Sequence, residues 1–301
     1  MQLAQRQRGA LISGHRAQTR ATQAVIHAVM ILVAAAMLLP FVLVLAASLT
    51  PNRELLLQGY KLLPDHLSVD SYSFMLRSPA SLLRAYGVTL FVTLAGTTLG
   101  MLVMSMTGYA LSRILGRTRR ALTLFVLVPI LFSGGLIPFY LVMTQMYRLN
   151  NSLLALIIPY LVSPFYLLLL RSYFNQLPHE IIESAKIDGA GEARIFFQIA
   201  VPLSTPALAT IGLFTLLGYW NDYWLALLFI RDSKLIPLQY LLFQMMNSVR
   251  VFELSPAVAT ISPPTEALLM AMAVVAAGPA IFVSLLLGRY FVRGITLGAL
   301  K

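Results

Sequence analysis

Six long apolar runs, near residues 26 to 48, 87 to 111, 122 to 146, 152 to 170, 204 to 230 and 267 to 288, alternate along this chain with short polar blocks. Only the fifth run holds an acidic or basic residue charged at neutral pH, Asp222. A bilayer core about 30 Å thick takes roughly 20 helical residues to cross, and each run is long enough. In lipid every backbone polar group must be satisfied internally, so spans are helices or strands of closed barrels. Barrel strands alternate apolar and polar positions over about ten residues, and no such alternation occurs here. The pattern predicts an all-α integral membrane protein with six transmembrane helices in a single transmembrane domain, residues 1–301.

Lys and Arg concentrate on one side of these spans. Arg6, Arg8, Arg16 and Arg20 precede the first span, and Arg113, Arg117, Arg119 and Arg120 crowd the connection between the second and third. Arg171, Lys186 and Arg194 flank the fourth connection, and Arg289, Arg293 and Lys301 follow the sixth span. Basic residues mark the cytoplasmic side. Both termini are therefore expected there, as tails 1–25 and 289–301, together with the loop 171–203. The first apolar run exceeds the 7 to 15 residues of a signal-peptide core and is read as an uncleaved helix.

Composition agrees with a lipid setting. Hydrophobic residues make up 58% of 301 and charged residues 11%, against about 25% charged in soluble domains. The net charge of +11 is accounted for by the orientation signal and by contact with anionic headgroups, without nucleic acid. There is no cysteine, which removes disulfides and thiolate chemistry. His15, His27, His66 and His179 stand apart without metal-ligand spacing, so no metal site is expected, and no phosphate loop or nucleophile elbow appears. The chain does not read as an enzyme.

Three places in the pattern invite function. Gly134, Gly135 and Pro138, within LFSGGLIPFYLV, predict a break in the third span, either a hinge or a Gly-rich packing face. Pro159 and Pro164 suggest a similar irregularity in the fourth. Trp220, Asn221, Asp222 and Tyr223 combine aromatic faces with hydrogen-bonding groups, which suits a substrate pathway for sugar rings and equally an interfacial aromatic belt or a structural ion pair. At about 1.5 Å per residue from Pro206, Asp222 lies about 24 Å along its helix, in the outer half of the membrane. Outside the membrane, residues 49–86 carry Tyr60, Tyr72 and Phe74, and residues 231–266 carry Pro237, Pro256, Pro263 and Pro264, predicting short helices and turns.

The fourth connection carries the most specific pattern. Glu183, Ser184 and Ala185 are followed by Asp188, Gly189, Ile199, Val201, Pro202 and Leu203 in ESAKIDGAGEARIFFQIAVPL. Helix is expected over Ser184 to Asp188, a break at the Gly-Ala-Gly run, and renewed helix over Glu192 to Ala200 that stops at Pro202. Small side chains there permit close backbone approach by another protein, while an amphipathic helix in the headgroup layer is the plainer alternative.

This spacing resembles the EAA loop of importer permeases of the ATP-binding-cassette class, with Ser184 in place of Ala and Val201 in place of Leu. With WNDYW, PLQYLL and the ending FVRGITLGALK, the chain resembles the second permease subunit of maltose-permease-type carbohydrate importers. Within that group it is similar to the oligosaccharide and polysaccharide permeases whose cargo includes acidic sugars such as alginate. The resemblance implies a type I importer permease fold and a heterodimer with a homologous permease. It also implies two ATP-binding-cassette ATPase subunits, which hold ATP and Mg, and a periplasmic solute-binding protein. Glu183, Ser184, Ala185, Asp188, Gly189, Ile199 and Pro202 would then form the ATPase-docking region, Glu183 facing a basic residue of the ATPase. The tail Gly294–Lys301 would reach between the ATPase subunits. A neutral-oligosaccharide importer and an ion-coupled secondary carrier are the alternatives, the latter poorly served by a lone Asp222.

Overall fold

The structure, a computed structural model, describes residues 2–77, 79–254 and 265–298, with side chains at 22–77, 79–247 and 266–285. Pro256, Pro263, Pro264 and residues 299–301 of the tail lie outside the described residues, as do the side chains of the tail from Gly294. Its helices run in the order α1 (Gln2–Ser48), α2 (Asn52–Gln58), α3 (Asp70–Met75), α4 (Pro79–Arg113), α5 (Gly116–Leu131), α6 (Leu136–Leu141), α7 (Leu154–Ile157) and α8 (Pro164–Phe174). They continue as α9 (His179–Ile187), α10 (Glu192–Ile195), α11 (Val201–Leu203), α12 (Thr205–Trp220), α13 (Trp224–Phe229), α14 (Leu238–Leu254) and α15 (Thr265–Gly298). No strand occurs among the described residues.

Three stretches are long and apolar enough to cross a membrane unbroken: Thr22–Ser48, Pro79–Arg113 and Glu266–Leu285. Three more exist as bent pairs, Gly116–Leu131 with Leu136–Met146 at 111°, Leu154–Tyr160 with Pro164–Phe174 at 48°, and Glu192–Leu203 with Thr205–Trp220 at 83°. The expected break in the third run is present, with Gly135 at φ 82°. A Cβ at Gly134 or Gly135 would meet nothing within 4 Å, so close packing inside this chain does not explain the glycine pair.

The chain forms two compact units. One contains residues 1–74 and 262–274, the other residues 75–261 and 275–301. In the first, Ala47, Leu55 and Ala267 form a small core. The Asn52 carboxamide accepts the backbone N–H groups of Glu266 (3.0 Å) and Ala267 (3.3 Å), capping the start of α15 from a site far away in sequence. Helix-start amides lack intrahelical partners, and Asn is among the best residues to take them. Tyr60 donates to Glu266 at 2.6 Å, and Tyr72 shares a 2.8 Å hydrogen bond with Ser48. Tyr60 and Tyr72 are thus used within the unit itself.

In the second unit α4 packs along α8 and α12. Apolar packing in lipid gains little from expelling water, so close backbone approach has to supply the attraction. Gly96 and Gly100, one turn apart on α4, permit it. A Cβ at Gly96 would lie 2.4 Å from the Tyr219 ring, and one at Gly100 would lie 2.9 Å from the Leu161 carbonyl. Two cores result, one at the loop end around Met104, Leu170, Phe174, Ile182 and Ile195, the other around Val92, Leu156, Tyr219, Leu225 and Phe229.

Prolines leave carbonyls without helical partners, and side chains from other helices take them. Pro279 has no N–H to offer the Val275 carbonyl four residues back; the Tyr86 hydroxyl donates to it at 2.9 Å. The neighbouring Ala276 carbonyl accepts the Trp220 indole N–H at 3.1 Å. In the fourth span a tighter turn, not a missing N–H, opens a carbonyl: the Leu161 amide turns to Ile158 rather than Ile157 (3.2 Å), and the Tyr219 hydroxyl takes the Ile157 carbonyl at 2.8 Å. Each of these polar groups would otherwise be stranded in lipid.

Two sequence expectations are corrected. The 231–266 segment does not consist only of short helices and turns: α14 is a 17-residue helix. Pro237 directly precedes its first turn, where no N–H is needed. The fifth run is not one helix, because the segment 221–223 separates α12 from α13. Asn221 turns its side-chain N–H back to the Leu217 carbonyl (3.0 Å), and the Asp222 carboxylate accepts the Leu225 amide (3.2 Å), so helix restarts at Trp224. Such local side-chain bonds compete with helix continuation.

Candidate functional site

Two regions gather the candidate functional side chains, the loop at 179–204 and the span breaks around Asp222. In the loop, α9 ends in a Schellman motif. The Ala190 amide donates to the Ala185 carbonyl at 2.9 Å and the Gly189 amide to Lys186 at 3.0 Å, with Gly189 at φ 80°. That left-handed conformation costs an ordinary residue about 1 to 2 kcal/mol, and glycine nothing. Gly189 is therefore required by backbone geometry in addition to its small size.

The loop is held to the body at two points. Ile182 and Ile195 are almost wholly buried in the core around Met104 and Phe174, each contributing about 2 kcal/mol. Glu192 receives the Tyr109 hydroxyl from the end of α4 at 3.0 Å and pairs with Lys186. A carboxylate thus joins the two arms of the loop to α4, a role the sequence did not reveal. Its only sequence signal is an acidic residue in the first turn of a helix.

The predicted docking residues divide. Glu183, Ser184, Asp188 and Gly189 are exposed, whereas Ala185 and Ile199 pack inward against the core. Pro202 does not stop the helix. It lies in α11 after a wide turn at Phe196–Ala200, and the chain turns instead at Ser204 (φ −98°, ψ 9°), whose amide bonds to Ala200 and Val201. A wide turn relaxes the register in which a proline ring would meet the preceding carbonyl. Ile187, next to the Gly189 cap, is 86% exposed.

Around the span breaks, Asp222 accepts the Tyr160 hydroxyl at 3.0 Å and the Leu225 amide at 3.2 Å. Asn221 accepts from Gln239 at 3.4 Å, and Tyr223 stacks on Phe243 at 4.9 Å, both partners lying on α14. Trp220 points the other way, 5% exposed, with its indole held by Ala276. Asn221, Asp222 and Tyr223 thus stay on a common surface, and Trp220 anchors it. Among the described residues no three potential metal ligands come together.

Broken apolar spans around a polar surface, with an exposed and stiffly capped loop between two of them, are the architecture of a multi-pass membrane protein. The chain belongs to the family described as binding-protein-dependent transport system inner membrane component, which matches residues 92–297. It is 36% identical to Protein LplC of Bacillus subtilis (strain 168), over 89% of this chain and 91% of that protein. It is likewise 36% identical to the polygalacturonan/rhamnogalacturonan transport system permease protein YtcP of the same organism, over 92% of this chain and 96% of that protein. The crystal structure of a bacterial ABC transporter involved in the import of the acidic polysaccharide alginate contains a similar chain, with 28% identity, a TM-score of 0.78, and coverage of 90% of this chain and 97% of that one. The protein is a multi-pass inner-membrane subunit of an ABC importer with the type I permease fold. It is not itself catalytic, and its membership implies an ATPase and a solute-binding protein as partners.

Proposed function

We propose that this chain forms, with a second homologous permease, the membrane path of an importer for acidic saccharides of the polyuronate kind. The observation that carries this is the convergence of two similar proteins, a permease named for polygalacturonan and rhamnogalacturonan and a transporter of alginate, on anionic sugar polymers. The outer face of the second unit supports it. Among the described residues, Arg84, Arg148, Arg231 and Lys234 are exposed without an ion-pair partner, and such a field concentrates anions at the mouth of a path.

A periplasmic solute-binding protein delivers the sugar, and two ATPase subunits bind ATP and Mg. Glu183, Ser184, Asp188 and Gly189 meet the ATPase, while Ala185, Ile199 and Pro202 shape the loop from within. Asn221, Asp222 and Tyr223 line the path, Trp220 fixes them, and Gly134, Gly135 and Pro138 give the third span its hinge. The test is ATP hydrolysis by the complex purified through this chain, with the binding protein plus either a uronate oligosaccharide or a neutral malto-oligosaccharide. Stimulation by the uronate alone is expected. Stimulation by the neutral sugar alone would refute the acidic cargo.

A further inference from the structure

Between the break in the fourth span and the middle of α12 lies a cavity of about 460 Å³, lined mainly by Tyr160, Tyr166, Phe214, Thr215, Gly218 and Tyr219. Pockets for small ligands run from about 300 to 1,000 Å³. We propose that this cavity is a seat for one sugar ring of the transported chain, which it grips through ring faces and hydroxyl groups and not through the sugar's carboxylate. The proposal rests on the cargo being a saccharide, as inferred above, and adds where this chain touches it and by what chemistry.

Three observations carry it. The first is an otherwise unexplained glycine. Gly218 lies inside α12, where glycine costs about 1 kcal/mol relative to alanine, and a Cβ built there would meet nothing within 4 Å. Gly96 is needed because Tyr219 occupies its side-chain space, but no neighbour in this chain fills the space at Gly218.

The second is the character of the lining. Four aromatic rings face the cavity. Tyr166 and Phe214 lie nearly parallel at 6.3 Å, and Tyr160 meets Tyr219 edge to face at 6.0 Å. Tyr219 is immobilised by its bond to the Ile157 carbonyl and Tyr160 by its bond to Asp222. Fixed flat faces with polar rims match a pyranose, which offers C–H faces and hydroxyl edges, at little ordering cost. The Tyr166 hydroxyl has no partner among the described residues, leaving a donor and acceptor for the cargo.

The third is charge. No Lys, Arg or His lines the cavity, and the charged group at its rim is Asp222, reached through Tyr160. Two like charges 4 Å apart repel by about 4 kcal/mol at an effective dielectric of 20. A uronate ring therefore enters with its hydroxyl edge toward Asp222 and its carboxylate turned away. Charge selection belongs to the basic outer face, and ring recognition to this cavity.

The absence of cysteine makes a direct test clean. In the complete complex, Gly218→Cys is exposed to a water-soluble maleimide, and labelling of this chain is read by mass. A uronate trisaccharide and its carboxyl-reduced form serve as probes. Labelling that both sugars suppress is expected. In parallel, Gly218→Leu should lower uptake of the uronate about tenfold or more, a loss of about 1.4 kcal/mol, with the partner permease still assembled. Labelling that neither sugar affects would overturn the proposal, as would no labelling at all, which would mean that lipid or the partner permease fills the space. Loss of the partner permease from the Gly218→Leu complex would also overturn it. Suppression by the uronate alone would refute the charge-independent grip. If the wild-type complex takes up neither sugar, the saccharide reading itself fails, an outcome separate from those of the labelling experiment.

Discussion

Replacing Gly189 separates two explanations of the loop that otherwise look alike. If the position demands only small size at a docking surface, tolerance should fall in the order Gly, Ala, Asn. If it demands the left-handed backbone seen at φ 80°, the order is Gly, Asn, Ala, because Asn visits that region far more readily than Ala. The alanine penalty is about 1 to 2 kcal/mol. It is purely conformational, since an added Cβ meets nothing within 4 Å in this chain. Breaking the cap releases the Ala190 to Ala185 and Gly189 to Lys186 bonds and lets α9 and α10 swing apart. With 1.4 kcal/mol per factor of ten, the population of the correctly angled loop falls by about 5- to 30-fold for Ala. Retention of the ATPase on the tagged permease, titrated against ATPase concentration, gives the affinity for each variant. Asn weaker than Ala would refute the conformational account.

Other substitutions probe the body. Tyr86→Phe strands the Val275 carbonyl and should destabilise by about 1 to 3 kcal/mol, seen as a lower Tm in detergent. In a Pro279→Ala background, where the substituted residue supplies the missing N–H, the same change should cost much less, and equal costs in the two backgrounds would disprove the assignment. Gly96→Ala drives a methyl into the Tyr219 ring and should cost about 1 to 3 kcal/mol; an unchanged Tm would contradict the packing described. Lys186→Ala removes a pair whose side chains are 49% and 54% exposed, so its effect on stability should stay within about 1 kcal/mol, and a larger drop in Tm would show that the pair is buried in the assembled transporter. Asp222→Asn keeps an acceptor for Tyr160 yet removes the charge, and should impair uptake without reducing membrane insertion; unimpaired uptake would exclude Asp222 from the path.

The spans and the loop were legible because each leaves a mark along the sequence. Apolar length marks the spans, and Gly134, Gly135 and Pro138 mark the break in the third. The exposed face formed by Glu183, Ser184, Asp188 and Gly189 follows from small and polar residues at fixed spacing. What escaped notice depends on distant partners. That Tyr86 meets Val275, 189 residues away, is invisible to any local pattern, although a proline inside α15 announces that some donor is needed. The restart of helix at Trp224 turns on which way the Asn221 and Asp222 side chains bend. Ala185 looked outward by composition, but it lies three residues after buried Ile182 on the same face of α9 and so packs toward the core. Glu192 could not be singled out, because an acidic residue in a first helical turn is common and its contact with Tyr109 is tertiary. Gly96 and Gly100 could have been noticed from their four-residue spacing on an apolar span.

Tyr219 lies over Gly96 and holds the Ile157 carbonyl, and this arrangement limits how the protein can vary. A larger residue at 96 must be matched by a smaller one at 219. Losing the Tyr219 hydroxyl in turn obliges the fourth span to straighten, or to find another donor for its open carbonyl. Positions 96 and 219 are therefore expected to change together or not at all. Among natural variants, side-chain volume at 96 and 219 should be anticorrelated.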